Sequence, residues 1–469
     1  MEAWLTIIIS LIAVGVLVYM LLKKNDIKMT LISLGVILMY LAILMGKHLK
    51  VSVPTGSVWL DPFQDLVDKF TTTLVGPGFI ILILGGYNAY MNQINANQVT
   101  IQALTKPAKK IKSVYLLVPI VFLMGNLLSL VIPSAANLAI ILLATLYPVL
   151  RAAGMSRLSA AAVIATSATI VPTPLGSDNV AMAAQLKMPV TEYAFRYHAI
   201  VSVPTILAMA VIHYFWQKYQ DKKNPENFSY DAELKAQEED EPKKTADAPK
   251  EYKGFTKFIY GILPLLPIIL LLLSFLINMI TKQNLSLSVQ IVTMISFLIA
   301  IIVDAFSKKN LQAVLKDTNV FFDGMGSVMS IVALLVAAQV FVEGLTSIGI
   351  INLIQNSMKQ MTSSGVILPI IMVLFTAVIV LLSGSGVALI FAMIPLIIPL
   401  SKAAGITPQA LSIPIQLSGN LLRAVSPVAA VILIVAGTTK LSPVQIIKRT
   451  WVPMVFGVIM VVIMSLIIF

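Results

Sequence analysis

Long apolar stretches dominate this chain, and short polar loops separate them. A helix needs roughly 20 apolar residues to cross a bilayer. Residues 3–22, 28–46, 72–91, 199–217, 257–280, 286–304, 324–345 and 452–469 supply such runs almost without interruption. Four further stretches, 113–152, 158–187, 365–401 and 408–437, are apolar but broken by Pro, Gly, Ser or Asn. The pattern predicts an all-α polytopic membrane protein with plain spans and interrupted ones. The first run is expected to remain as a span: it opens Met-Glu-Ala-Trp and carries Lys23 and Lys24 at its far end, the wrong polarity for a secretory signal.

Charge orients the spans, because cytoplasmic loops collect Lys and Arg. Lys23, Lys24 and Lys28 mark one loop, and Lys106, Lys109, Lys110 and Lys112 mark another. Between them, Asp61, Asp65 and Asp68 balance Lys47, Lys50 and Lys69, which reads as external. The N-terminus is therefore expected outside. Both flanks of 113–152 are basic, with Arg151 and Arg157 following it, so it is expected to enter and leave by the cytoplasmic face. That is a re-entrant hairpin with its tip near Pro133-Ser-Ala-Ala-Asn137. The span 199–217 then returns to a polar segment, 218–256, holding Glu238-Glu-Asp-Glu241 beside Lys243 and Lys244. It reads as a cytoplasmic, solvated linker; a regulatory docking site is the other reading.

The two broken regions repeat one another. Tyr147-Pro-Val-Leu-Arg-Ala-Ala-Gly154 aligns with Ile398-Pro-Leu-Ser-Lys-Ala-Ala-Gly405. Thr173-Pro174 meets Ser426-Pro427, and Lys187-Met-Pro-Val190 meets Lys440-Leu-Ser-Pro-Val444. Lys308, Lys309, Lys316, Lys440, Lys448 and Arg449 fall on the cytoplasmic side only if the second half has the opposite orientation. The expected plan is therefore two inverted repeats, each with a re-entrant hairpin and a broken transmembrane helix. Residues 1–112, 188–217, 257–364 and 438–469 would hold the plain spans. Residues 113–187 and 365–437 would form the transport part, and the C-terminus would lie outside. Inverted repeats with interrupted helices mark secondary carriers, whose sites lie near the midplane.

Composition narrows the function. Of 469 residues, 58% are hydrophobic and 12% charged, which excludes a soluble enzyme, a nucleic-acid binder and a disordered scaffold. The net charge of +12 then reads as topology rather than as affinity for nucleic acid. The absence of cysteine excludes disulfides, iron–sulfur clusters and thiol nucleophiles, and three histidines do not suggest a metal site. No phosphate-binding Gly-rich loop implies ATP. No catalytic constellation appears, so the chain is not expected to be an enzyme. A passive channel is separated from a carrier by saturable exchange.

The breaks carry the chemistry. One reads Thr169-Ile-Val-Pro-Thr-Pro-Leu-Gly-Ser-Asp-Asn179 and the other Ser418-Gly-Asn-Leu-Leu-Arg-Ala-Val-Ser-Pro427. With the tips at Ser134–Asn137 and Ser383-Gly-Ser-Gly386 they create four helix N-termini, which attract anions. The candidate substrate ligands are Ser134, Asn137, Thr173, Ser177, Asn179, Ser383, Ser385, Gly386, Asn420, Arg423 and Ser426. Arg423 is the sharpest, a costly charge inside a span whose guanidinium can hold a carboxylate by two hydrogen bonds. The other reading pairs it structurally with Asp178. Asp178 itself reads either as that partner or as a site for a coupling H+ or Na+. Glu343 and Asp304 are expected to snorkel to the interface. His48, His198 and His213, with Trp4, Trp59, Trp216 and Trp451, are expected to anchor at the membrane boundaries.

These segments resemble the DcuC family of anaerobic C4-dicarboxylate carriers, over nearly the full length. The resemblance rests on Ala184-Gln185 after Gly176-Ser-Asp178, His213-Tyr-Phe-Trp-Gln-Lys-Tyr219, Leu345-Thr-Ser-Ile-Gly349, Ser383–Gly386, Asn420-Leu-Leu-Arg423 with Ser426-Pro427, and Ile447-Lys-Arg-Thr450. It implies a bacterial plasma-membrane protein of the ion-transporter superfamily, with an elevator-type movement. Succinate, fumarate or related diacids would be its substrates, by exchange or ion-coupled movement, and the scaffold would provide any homodimer contact. Two places depart from the family pattern: Pro133-Ser-Ala-Ala136 replaces a hydroxyl-rich tip, and Val387 stands where Asn is expected. Both remove polar groups and leave open another small organic anion, a monocarboxylate or an amino-acid derivative.

Overall fold

The computed structural model describes residues 2–23, 25–49, 51–53, 55–106, 111, 113–130, 132, 134–223, 252, 254–281, 287–350, 352–353 and 364–469. Lys24, Lys50, Lys109, Lys110, Lys112, Pro133 and the linker over 224–251, with its Glu238–Glu241 run, Lys243 and Lys244, lie outside the described residues.

The regular structure of the described residues is all helical, without a strand. In chain order the first half contains α1 (Glu2–Leu22), α2 (Ile27–Leu44), α3 (Asp61–Thr73), α4 (Phe79–Gln93), α5 (Ala96–Thr105), α6 (Val114–Leu128), α7 (Ala135–Thr145), α8 (Tyr147–Ala152), α9 (Arg157–Ala165), α10 (Ser177–Gln185) and α11 (Val190–Lys223). The second half contains α12 (Gly254–Ile262), α13 (Leu266–Thr281), α14 (Val289–Lys308), α15 (Leu311–Asp317), α16 (Asn319–Ser347), α17 (Ser364–Ser383), α18 (Gly386–Met393), α19 (Ile397–Ala404), α20 (Pro408–Leu422), α21 (Ala430–Thr439) and α22 (Pro443–Ile468). Eleven segments among the described residues are long and apolar enough to cross a membrane, so this is a multi-pass membrane protein.

One order of elements occurs twice: helix, polar tip, helix, short helix, helix, break, helix, long helix. It runs from α6 to α11 and again from α17 to α22. The arms differ in length. Those of the first hairpin, α6 and α7, are short, whereas α17 and the segment 386–404 are each long enough to cross.

Apolar packing forms one large cluster and several smaller ones among the described residues. The largest core joins both hairpins and both broken helices, through Phe122, Leu142, Ile164, Phe391, Leu417 and Val431. It also takes in Met209 of α11 and Met454 of α22. These two last spans pack on each other and on the broken helices. Elsewhere α16 lies against α2 and α4. The approach to α2 is close because Gly35 and Gly344 face each other. A Cβ on Gly344 would stand 2.6 Å from the Gly35 carbonyl.

Several charges expected at the boundaries are inside. Asp304 is 0% exposed; it accepts from Tyr260 Oη at 2.7 Å and pairs with Lys308 at 2.7 Å. Tyr260 comes from α12 and Lys308 from the next turn of α14 itself, so snorkelling is unnecessary. His198 and His213 are buried too, 1% and 0% exposed, and only His48 is exposed. Arg157 and Arg449, read as loop charges, are buried as well. Arg449 Nη1 reaches Asp221 Oδ1 at 2.6 Å, and Ser156 and Ser159 donate to the same carboxylate at 2.9 Å. Arg157 Nη2 donates to the Thr439 carbonyl. Glu343 pairs with Lys69 at 3.1 Å. Trp4, Trp59 and Trp451 are exposed, as a boundary belt requires.

Candidate substrate site

The breaks form because the sequence removes helix hydrogen bonds there. Pro172 and Pro174 lack N–H groups and push their predecessors toward extended backbone. The chain leaves the helix after Ala165 and re-enters it at Ser177. In the second half, Arg423–Val425 tighten into one 3-10 turn, Ser426 is extended before Pro427, and α21 begins at Ala430.

The tips are closed by their own hydroxyls. Ser134 Oγ accepts from the Asn137 N–H at 3.3 Å, and Ser385 Oγ accepts from the Ala388 N–H at 3.4 Å. Ser383 Oγ accepts from the Ser385 N–H at 3.2 Å. Gly384 turns at φ +73°, and Gly386 packs on the Gly419 carbonyl where a side chain has no room. The second tip is thus held against the last turn of α20.

Two cavities meet at these features. The larger, about 560 Å³, is lined by the first tip (Ser134 to Asn137), Gly384 and Val387 of the second tip, and Arg423. The N-terminal ends of α10 and α21 also reach it, through Ser177 and Ala430. All four helix N-termini therefore come together. Its far wall is α4 and α16, with Asn88, Asn92 and Ser327 as the polar groups. The smaller cavity, about 80 Å³, is mostly polar. Thr169, Thr173, Asp178, Asn179, His198 and Asn420 line it. Ser177, Val387 and Arg423 border both.

Arg423 stands between the cavities. Its Nε donates to the Asn420 carbonyl at 3.3 Å, and neither Nη has a partner among the described residues. A guanidinium with two free N–H edges on a cavity is built to receive an anion. No ion pair joins it to Asp178. Asp178 Oδ2 instead accepts from Gln416 Nε2 at 3.0 Å and from Asn420 Nδ2 at 2.9 Å. The structural pairing is therefore replaced by two amide donors, since α20 presents Gln416 and Asn420 to α10 at helical spacing.

The comparisons with known proteins agree with this architecture. The family described as DcuC, C4-dicarboxylate anaerobic carrier, matches residues 1–469. The chain belongs to the DcuC family. It is 33% identical to the anaerobic C4-dicarboxylate transporter DcuC of Escherichia coli (strain K12) over 434 residues, 92% of this chain and 89% of that one. It is 31% identical over 465 residues to a probable anaerobic C4-dicarboxylate transporter DcuC of Vibrio cholerae serotype O1, covering 98% and 97%. These relatives are transporters, not enzymes. Among solved structures the fold is similar to the Alcanivorax borkumensis YdaH transporter, with a TM-score of 0.63 at 16% identity, covering 94% of this chain and 97% of that one. It is also similar to Neisseria gonorrhoeae MtrF, with a TM-score of 0.57 at 13% identity, covering 94% of each.

Within this DcuC member the predicted residues divide. Ser134, Asn137, Ser177 and Arg423 reach the large cavity, and Thr173, Asp178, Asn179 and Asn420 the small one. Asn179 is committed to Thr173 O at 2.8 Å and to Gln416 at 2.7 Å. Ser383, Ser385, Gly386 and Ser426 border neither cavity. They shape the tip and the break, and Ser426 Oγ donates to Leu381 O at 2.9 Å.

Sequence reasoning missed Gln416, Tyr193 and Asn126, and placed His198 at the membrane boundary rather than at the small cavity. Gln416 Oε1 accepts from Tyr193 Oη at 2.6 Å. His198 Nδ1 meets Ser202 Oγ at 2.9 Å. Asn126 Oδ1 receives Thr169 N at 3.1 Å and Thr169 Oγ1 at 2.7 Å. The available signal was a lone amide or imidazole inside an apolar run, which is costly in a membrane unless it has partners.

Proposed function

We propose that this protein is a secondary carrier of C4-dicarboxylates, succinate or fumarate among them, working by exchange or by ion-coupled movement in a bacterial plasma membrane. The observation that carries the reading is the Arg423 guanidinium, whose outer nitrogens are unpartnered at a cavity of about 560 Å³ where four helix N-termini meet. That size falls in the range of about 300–1,000 Å³ usual for small-molecule sites. The DcuC relatives give the substrate class.

The mechanism we propose is an elevator of inverted repeats. The doubled element order and the basic loops support the inversion. The cavity lies where the hairpin tips and broken helices face α4 and α16, which supports movement of the former against the latter. On the loop-charge topology, both termini are outside and the cavity lies beside the cytoplasmic ends of α4 and α16, so the conformation faces inward. Asp178 is the proposed site of a coupling H+ or Na+, because its Oδ1 has no protein partner among the described residues and the small cavity lies beside it. A homodimer contact is assigned to the scaffold body. Exchange requires the substrate to favour states that can move, since a ligand shifts only equilibria it binds differentially.

A second reading, a monocarboxylate or an amino-acid derivative as cargo, is favoured by the apolar Ala136 and Val387 at the cavity. The test is counterflow in proteoliposomes loaded with unlabelled succinate, following labelled succinate at varied sodium and pH. Saturable uptake that fumarate competes away is the expected result. Arg423→Ala should abolish it in folded protein; wild-type uptake by that variant would sink the assigned role. A panel of competing anions separates the two substrate classes.

A further inference from the structure

The scaffold wall of the large cavity carries an arrangement that the Arg423 site does not explain. Asn88 and Asn92 lie one helical turn apart on the last part of α4, and both line the cavity. The chain then turns through Asn95, at φ +57°, and enters α5, which brings Asn97 back beneath them. Asn97 is 1% exposed. Its Nδ2 donates to Asn88 Oδ1 at 3.1 Å and to Asn92 Oδ1 at 2.6 Å. Both hydrogens of that amide are thereby used, and the oxygens of Asn88 and Asn92 are both committed. A planar amide presents oxygen and nitrogen on opposite sides. With the oxygens held by Asn97, the two Nδ2 groups are left for the cavity, and neither donates to a described protein group.

We infer that Asn88 and Asn92 bind the second carboxylate of the substrate in this conformation, and that Asn97 is the positioning residue that turns their donors toward it. The inference rests on the dicarboxylate reading above. A carboxylate only accepts hydrogen bonds, so a wall of amide N–H groups fits it and repels nothing. Arg423, across the same cavity, is likewise donor-only. The same cavity is also lined by apolar Leu84, Val328, Ile331 and Val387. Two donor sets in one partly apolar cavity match two carboxylates joined by a short hydrocarbon. A monocarboxylate satisfies Arg423 alone. Because the Asn pair belongs to the scaffold body, its contact with cargo exists in this end state only. Binding therefore stabilises this state for dicarboxylates and not for monocarboxylates.

The test is isothermal titration of the purified full-length protein with succinate and with butyrate. Asn92 is exposed, so N92A leaves the packing intact. Hydrogen bonds to a charged group set the size of the effect. N92A and N88A should each raise the succinate Kd roughly ten-fold, and the pair roughly a hundred-fold. The butyrate Kd should stay at its wild-type value. N97D is the sharper probe. Its carboxylate accepts from both amides, so it turns their oxygens to the cavity, and it should weaken succinate as much as the double variant while leaving butyrate binding unchanged. Unchanged succinate affinity in these variants overturns the inference and leaves the dicarboxylate reading standing. Parallel loss of succinate and butyrate overturns it too, as a structural effect. A wild-type protein that ignores succinate overturns the dicarboxylate reading itself, and this inference with it.

Discussion

Gln416 is the knot that ties the two broken helices together, and its replacement by leucine unties it. The side chain is 0% exposed in the middle of α20. Its Nε2 donates to Asp178 Oδ2 at 3.0 Å and to Asn179 Oδ1 at 2.7 Å, and its Oε1 accepts from Tyr193 Oη at 2.6 Å. Gln416→Leu keeps the approximate volume and deletes all three bonds. Interhelical hydrogen bonds in membranes average about 0.6 kcal/mol each, which sets a floor of about 2 kcal/mol. The orphaned groups raise the figure. Tyr193 is fully buried, and losing a partner costs a buried donor about 1–3 kcal/mol. A loss of about 2–5 kcal/mol is therefore expected, a large part of a total stability of about 5–15 kcal/mol. Equilibrium unfolding in mixed micelles measures it. Tyr193→Phe removes one of the same bonds, so the double variant should lose less than the sum of the singles, by about 0.6–1.7 kcal/mol. Succinate affinity should fall as well, because the N-terminus of α10 loses its anchor. A loss below about 0.5 kcal/mol with unchanged succinate binding would refute the reasoning, since that is the scale of a surface change.

Two other predictions follow from buried charge. Arg449→Ala strands the Asp221 carboxylate, 0% exposed at its side chain, and should cost about 3–5 kcal/mol by the same unfolding assay; adding Asp221→Leu should recover much of it. Asp178→Asn keeps an oxygen for Gln416 and Asn420 to donate to but removes the charge. It should preserve succinate counterflow while abolishing net uptake driven by a sodium or proton gradient, and gradient-driven uptake at the wild-type rate would exclude Asp178 as the coupling site.

Much of this protein was readable along the chain, because the bilayer imposes rules that are local in sequence. Every backbone group in hydrocarbon must be satisfied within its own helix. Apolar length therefore announced nearly every span. For the same reason the prolines and glycines at Pro172–Gly176 and Ser426–Pro427 announced the breaks. Arg423 announced itself by cost, since a guanidinium inside a span is tolerated only for a purpose. What the chain could not disclose was which polar side chains meet. Asp178 and Arg423 look like partners by sign alone, yet the register of α10 against α20 gives the carboxylate two amides and leaves the guanidinium to the cavity. His198, Arg157 and Arg449 sit near span ends, where a one-dimensional reading puts interfaces. Packing of α11 and α22 on the broken helices turns those ends inward. Asn88 and Asn92 are ordinary residues at the end of an apolar helix until Asn97 folds back on them. Span length and breaks follow from the solvent surrounding each helix, which the sequence encodes residue by residue. Hydrogen-bond partners follow from helix rotation and register, which only the assembled bundle decides.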